Sequence, residues 1–306
     1  MLRPYQQNAH DNIIGWIKKN RTPCCIEAAT GAGKSHIIAA VADTIHEMSK
    51  GKHVLCLAPS AELVVQNAEK FKATGSKCSI FSASAGQKSL RHPVVFGTPG
   101  TVNNSISRFG GEFAAVVIDE CHGMTPTVKN IIEAMREANP NLRVIGMSAT
   151  PYRMGTGYIF GQWPDGTPVR EDQTKDPYFA ACVYRIQAYE LIEQGFLTKP
   201  TIGETSVDGY DTINMQLNAR GQFDASAVDR AYHGQGRKTA AIIADVVKQA
   251  AFLRGIMIFA ATVRHAEECM ESLPAGMSAL VTGETKKKDR DQIIRSFKAG
   301  RIKYLV

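Results

Sequence analysis

The 306-residue chain is 44% hydrophobic and 21% charged, which is ordinary for soluble protein in two domains, and its apolar stretches are too short to span a bilayer. Seven cysteines with no C-x-x-C pair indicate neither a zinc site nor a disulfide framework, and the N-terminal Leu2-Arg3-Pro4-Tyr5-Gln6-Gln7 lacks a signal-peptide core, which predicts a cytoplasmic location and no membrane partner. The net charge of +7 suggests a polyanionic partner, yet eight Lys/Arg against two Asp/Glu lie between Lys286 and Val306, so bulk basicity says little about the first 285 residues.

In chain order, the first two-thirds alternate helix and strand. A helix over roughly residues 4–19 leads into Pro23-Cys24-Cys25-Ile26, an apolar run that reads as a buried strand. A glycine-bearing turn follows, and beyond it Ile37, Ile38, Val41 and Ile45 fall at helical spacing. Next come a strand at 53–58, a helix at 61–71, and short strands at 78–81 and 94–97. Ala114-Ala115-Val116-Val117-Ile118 is the kind of run that a parallel sheet buries on both faces. A helix at 128–138 and a strand at 142–147 complete a rhythm that predicts a doubly wound α/β lobe with ligands at the carboxyl ends of its strands.

Three stretches carry the chemistry. Ala28-Ala29-Thr30-Gly31-Ala32-Gly33-Lys34-Ser35 lies between strand and helix, where backbone N–H groups and the helix dipole converge on one place and favour a phosphate. Lys34 is expected to reach the β/γ-phosphates and the Ser35 hydroxyl to hold Mg2+. Only Ala28 departs from the pattern G-x-x-x-x-G-K-[ST], which has glycine there. The apolar run at 114–118 ends in Asp119-Glu120-Cys121-His122, and adjacent acids after a buried strand are costly unless a cation neutralises them. Asp119 is expected to hold Mg2+, and Glu120 to orient or deprotonate the attacking water. Ser148-Ala149-Thr150, after the strand at 142–147, offers small hydroxyl side chains that can relay hydrogen bonds from the nucleotide site.

Gln6, Ala28 to Ser35, Asp119 to His122 and Ser148 to Thr150 stand in the order and spacing of superfamily-two helicases, and the chain resembles that family, which accepts alanine where position 28 has one. The resemblance implies a RecA-like P-loop NTPase lobe followed by a partial second RecA-like lobe, with ATP and Mg2+ as cofactors. It makes Gln6 the adenine-reading glutamine, places Ala29, Thr30, Gly31, Ala32, Gly33, Lys34 and Ser35 around ATP, and gives Ser148, Ala149 and Thr150 a coupling role. Pro59-Ser60-Ala61-Glu62-Leu63-Val64-Val65-Gln66 and Gly97-Thr98-Pro99-Gly100 look like the motifs that touch the backbone of a bound single strand. Pro59, Ser60, Gln66, Thr98 and Pro99 are its candidates for sequence-tolerant DNA contact, whereas Leu63, Val64 and Phe71 read as the core face of a helix. Closer still, Arg3-Pro4-Tyr5-Gln6-Gln7, Val95-Phe96-Gly97, Gly111-Glu112-Phe113, Asp119 to His122 and Gly255 to Val263 resemble RadD-type repair helicases, which implies single-stranded or branched DNA and other repair proteins as partners. Leu191-Ile192-Glu193-Gln194-Gly195-Phe196-Leu197 is shared with the motor subunits of restriction enzymes.

These readings divide the chain into an ATP-binding lobe at 1–154, an irregular insertion and connector at 155–235, and an incomplete second lobe at 236–306. In the insertion, Tyr158, Phe160 and Trp163 are expected to pack the loop onto the lobe rather than to stack on bases. In the second lobe, strands at 256–260, 279–282 and 302–306 alternate with helices, the last of which should bury Ile293, Ile294 and Phe297. No arginine-bearing helix follows, so the expectation is a helicase cut short that turns over slowly and leaves apolar surface open beside Tyr304 and Val306. The competing class is a nucleotide-switched DNA-binding module without productive turnover. A small-molecule kinase explains neither Gln6 nor the Asp119–His122 box.

Overall fold

A computed structural model describes residues 2–203, 209–213, 215–216 and 223–306, and the chain divides into two units, Met1–Lys199 and Pro200–Val306. In the first unit, strands β1 (Cys24–Ala28), β2 (His53–Leu57), β3 (Ser79–Ser82), β4 (Gln87–Lys88), β5 (Val94–Gly97), β6 (Phe113–Asp119) and β7 (Arg143–Ser148) share one sheet. A small hairpin of β8 (Tyr152–Arg153) and β9 (Gly157–Tyr158) follows, and β10 (Ala181–Ile186) returns to the edge of the sheet beside β1. The sheet order is β10-β1-β7-β6-β2-β5-β3-β4, parallel throughout except for β4 against β3.

Side chains alternate along these strands between two cores, as a period of two requires. Ile26, Val54, Cys56, Ala115, Val117, Ile145 and Met147 face one core, together with helices α1 (Pro4–Lys19), α2 (Lys34–Met48) and α3 (Ala61–Lys72). Cys25, Leu55, Leu57, Val116, Ile118 and Val144 face the other, together with α4 (Pro99–Asn103), α5 (Pro126–Ala138) and the segment from Ile159 to Phe179. Helix α1 shows how the sequence sets the packing. Pro4 occupies its first turn, Gln6 folds back to accept from the Arg3 N–H, and Tyr5, Ala9, Ile13 and Ile17 form a buried stripe at four-residue spacing.

The region after residue 154 departs from the expected division. Its first part is an integral piece of the first unit, because β10 pairs with β1 and α6 (Ala188–Glu193) anchors Leu191 in the core. Ala181, Cys182, Val183 and Ile186 make β10 an apolar strand long enough to extend a sheet, and the irregular loop before it hid that signal. Phe160 is fully buried, with Tyr158 and Trp163 rings 5.3 and 5.0 Å from it, so these aromatics pack inward.

The second unit contains α7 (Ala225–Tyr232), α8 (Gly236–Gln249), α9 (Val263–Glu271) and α10 (Lys287–Lys298) around a parallel sheet of β11 (Ile256–Met257), β12 (Ser278–Ala279) and β13 (Tyr304–Leu305), in the order β11-β13-β12. The end of the connector expected up to residue 235 is therefore helical, and its residues 204–208, 214 and 217–222 lie outside the described residues. Each strand is two residues long, shorter than the expected runs. Ile293, Ile294 and Phe297 are half-buried rather than buried. Tyr304 and Val306 are covered, whereas Phe259 is 88% exposed and Met257 and Val263 also face outward. Among the described residues no helix is long and apolar enough to cross a membrane.

Candidate nucleotide and metal site

The turn from β1 to α2 is shaped for an anion. Gly31 and Gly33 take φ of +85° and +78°, in the left-handed region that disfavours a Cβ. Space forbids one as well: a Cβ on Gly33 would stand 2.6 Å from Gln6 Nε2, and one on Gly31 2.8 Å from Leu197 Cδ2. Gly33 caps α2, so the leading N–H groups of the helix and the positive end of its dipole open from the loop. Ala28 is fully buried at the end of β1, Ala29 is buried, and Thr30 is exposed at the lip.

Helix α1 locks this loop. Tyr5 Oη and Gln6 Nε2 both donate to the Ala32 carbonyl, at 3.0 and 2.8 Å, while Gln6 Oε1 accepts from the Arg3 N–H at 3.0 Å. Both ends of the Gln6 amide are thus used within the protein. A cavity of about 240 Å³ lies against it, lined by Arg3, Gln6, Gly31, Gly33 and His36. The Phe196 ring packs beside this cavity, its centroid 4.8 Å from the Arg3 guanidinium and 5.1 Å from the Tyr5 ring. A larger cavity of about 550 Å³ between Trp16, Trp163 and Cys182 contains none of the expected site residues, so size alone does not locate the site.

The acids converge on the loop from the end of β6. Glu120 takes φ +51°, in the left-handed region that is uncommon outside glycine. Its Oε1 lies 3.3 Å from Lys34 Nζ, and its Oε2 lies 3.3 Å from His122 Nδ1. Lys34 Nζ also donates to the Ala28 carbonyl at 3.5 Å. Ser148 is fully buried, its Oγ 2.9 Å from His122 Nδ1 and accepting from the Thr150 N–H at 3.0 Å, while Arg153 Nε donates to the His122 carbonyl. His122 is therefore the joint between the acidic box and the 148–153 segment. Ala149 is half-buried and makes no side-chain hydrogen bond, as its chemistry requires.

Asp119 is 6% exposed. Its Oδ2 accepts from Asn67 Nδ2 at 2.9 Å and its Oδ1 from the Glu120 N–H at 3.0 Å. Burial raises its carboxyl above the ordinary 3.8; the Asn67 hydrogen bond opposes the shift, the Glu120 charge adds to it, and the Lys34 charge opposes it. The Ser35 hydroxyl and the Asp119 carboxylate are hard oxygen donors, the type that Mg2+ takes one or two at a time while keeping waters and phosphate oxygens. Asn67 Oδ1, beside that carboxylate, is buried and accepts no hydrogen bond among the described residues, so an acceptor stands open next to the donor set. The residues present fit a hydrated divalent ion.

The residues expected to touch a strand are placed less simply. Pro59 is exposed, and Ser60 caps α3 by accepting from the Leu63 N–H at 3.3 Å. Gln66 Nε2 donates to Ser35 Oγ at 3.5 Å, which brings its amide to the edge of the phosphate loop. Thr98 caps α4 and donates to Ser82 or Thr101 hydroxyls at 3.2 and 3.1 Å, with Pro99 in the first turn. Val64 and Phe71 are buried, with Leu63 packed against the same core. Asn67, Arg153, Phe196 and Leu197 were not legible as site residues, because each meets its partner only through the fold; the one local hint was Asn67 itself, a polar residue on the apolar face of α3.

The family described as "Type III restriction enzyme, res subunit" matches residues 1–153. The chain belongs to that family. No curated protein matches it at a significant level. Among solved structures, the Type ISP restriction-modification enzyme LlaBIII bound to DNA is 15% identical, covering all of this chain and 24% of its own, with a TM-score of 0.61. The Hef helicase domain of Pyrococcus furiosus is 16% identical over all of this chain and 85% of its own, with a TM-score of 0.55. S. cerevisiae Dbp5 bound to RNA and ADP BeF3 is 16% identical over 99% of this chain and 68% of its own, also at 0.55. The chain spans 60% of the length of the UvsW helicase of bacteriophage T4 and about a quarter or less of the Type ISP enzymes. At such identities the likeness is one of fold: a RecA-like P-loop NTPase lobe followed by a smaller second RecA-like lobe.

Proposed function

We propose that the chain is the ATP-driven motor portion of a superfamily-two DNA translocase of the restriction-enzyme kind. The observation that carries this reading is the convergence of Lys34, Ser35, Asp119 and Glu120 at the carboxyl ends of β1 and β6, beside the N-terminus of α2. In this reading Ala29 to Ser35 cradle the phosphates, Lys34 neutralises the β/γ-phosphates, and Gln6 with Arg3 and Phe196 receives the adenine. Ser35 and Asp119 would hold Mg2+, which would supply positive charge against the charge that develops on the transferred phosphate. Glu120 orients the attacking water and takes its proton. Before nucleotide enters, Glu120 is paired with Lys34; a triphosphate competes for that lysine and releases Glu120 for proton transfer. Ser148, Thr150 and Arg153 act on Glu120 through His122.

Pro59, Ser60, Gln66, Thr98 and Pro99 are assigned to the backbone of a single-stranded or branched DNA, with contacts that give register without sequence preference. A RadD-type repair helicase of the cytoplasm, working with other repair proteins, is the second reading; it rests on Arg3 to Gln7, the Asp119–His122 box and Gly255 to Val263. The test is steady-state ATP hydrolysis with no polymer, single-stranded DNA or RNA of matched length. Stimulation by DNA above RNA, lost in Lys34→Ala, is expected. Nucleotide binding without hydrolysis under all three conditions would replace the motor with a nucleotide-switched binding module.

A further inference from the structure

Helix α3 reaches the metal-side oxygens with two adjacent residues. Gln66 donates to Ser35 Oγ, and Asn67 donates to Asp119 Oδ2 at 2.9 Å across 52 residues of sequence. Asn67 is 1% exposed, and its surroundings differ from those of the other buried asparagine among the described residues, Asn139. Asn139 is satisfied at both ends: its Nδ2 donates to the Phe113 carbonyl at 2.8 Å and its Oδ1 accepts from the Asn141 N–H at 3.0 Å. An asparagine kept for local structure is expected to look like that. Asn67 instead directs its donor to a carboxylate and leaves its Oδ1 buried and unpaired. Turning the amide over would set its carbonyl oxygen against the Asp119 carboxylate, so the charge dictates the orientation.

We propose that Asn67 is a positioning residue that fixes the Asp119 carboxylate in its metal-binding orientation and ties it to helix α3; this rests on Asp119 being the magnesium-side acid of the proposed function. Two donors, Asn67 Nδ2 and the Glu120 N–H, each hold one oxygen, which determines the plane of the carboxylate. The Glu120 N–H comes from the backbone and survives any side-chain change, so Asn67 is the adjustable half of the pair. Outer partners of this kind typically change metal affinity about 10–100-fold when removed.

The test is calorimetric titration of ADP into the 306-residue chain, in EDTA and across a Mg2+ series, for wild type, Asn67→Leu, Asn67→Ala, Asn67→Ser and Asn139→Ala. In EDTA, ADP affinity is expected to be the same in all five proteins. The Mg2+ concentration that gives half of the affinity gain should rise about 10–100-fold in Asn67→Leu and Asn67→Ala. Asn67→Ser, which keeps a donor, should recover part of the shift, and Asn139→Ala should keep the wild-type midpoint even if it melts earlier. A wild-type midpoint in either folded apolar variant overturns the proposal, and Asn67→Ala answers alone if Asn67→Leu fails to fold. A wild-type chain whose ADP affinity does not depend on Mg2+ would instead remove the proposed function on which the inference stands.

Discussion

The two units reach their folds by different means. The first buries strands of up to seven residues on both faces, with separate cores on the two sides of one sheet. The second rests on three strands of two residues each and leaves Phe252, Phe259 and Met257 facing outward. The consequence is chemical as well as mechanical. A doubly covered sheet holds Asp119 nearly buried and supplies it with two donors, whereas in the second unit the buried Thr239 and His265 meet at the Tyr210 hydroxyl, 2.8 and 2.9 Å away, with Glu268 and the Ala261 N–H as their further partners. The first unit's sheet fixes the acids of the candidate site, and the second unit's sheet holds a small core together.

The largest effect that this contrast predicts lies in the nucleotide site. Glu120→Gln should reduce hydrolysis at least about 10³-fold while ADP and ATP bind as well as before or better, because Lys34 loses a competing carboxylate. Lys34→Ala should instead abolish measurable binding. Equal loss of binding in both variants would mean that the assigned roles are wrong.

The cores come next in size. Ile145→Ala, in the centre of β7, should cost about 2–5 kcal/mol and move only the unfolding transition of the first unit; Ile243→Ala on α8 should move only that of the second, with the smaller cost. Denaturant melts followed by site-placed fluorophores would separate them, and a single shared transition shifted equally by both would erase the distinction between the units.

Asp119→Asn offers a smaller and pH-dependent test. Burial raises this carboxyl above 3.8, so the folded chain holds the proton more tightly than the unfolded chain does. Stability from this group is present at low pH and is lost as pH rises through the raised value. Without nucleotide and in EDTA, Asp119→Asn should therefore melt higher than wild type at pH 7, by about 2–4 °C for each kcal/mol regained, and lose the advantage below the carboxyl's range. An advantage that persists unchanged at about pH 3, below the ordinary carboxyl value, would contradict the burial argument.

The smallest effect concerns charge. Lys286, Lys287 and Lys288 are exposed at the start of α10, and replacing all three with Ala should make the salt dependence of single-strand binding shallower, by about 0.7 in the log–log slope for each phosphate that is no longer neutralised. An unchanged slope would make the run a solvated face.

What could be read from the chain divides along the same line. The phosphate loop and the Asp119–His122 box were legible because the residues that act together there are covalent neighbours, and long apolar strands announce a buried sheet. Asn67 was not legible, because its meaning lies in an acid 52 residues away. Gln66 reads as a strand contact by motif, and its contact with Ser35, 31 residues away, comes only from the fold. Strand β10 pairs with β1 from more than 150 residues downstream, behind a glycine-rich loop that reads as an insertion. In the second unit the ladder between β11 and β13 reaches only as far as the Ile258 N–H, which donates to the Leu305 carbonyl at 2.8 Å, so Phe259 and Ala260 of the expected strand lie outside it.

The central claim is that the first unit carries a complete nucleotide site. Hydrogen exchange of the 306-residue chain with and without Mg2+ and ADP tests it most directly. The account predicts slowed exchange confined to three stretches of the first unit, at 3–6, 29–36 and 119–122, and no such change in Lys34→Ala. Protection confined to the second unit, or the same protection in Lys34→Ala as in wild type, would contradict it.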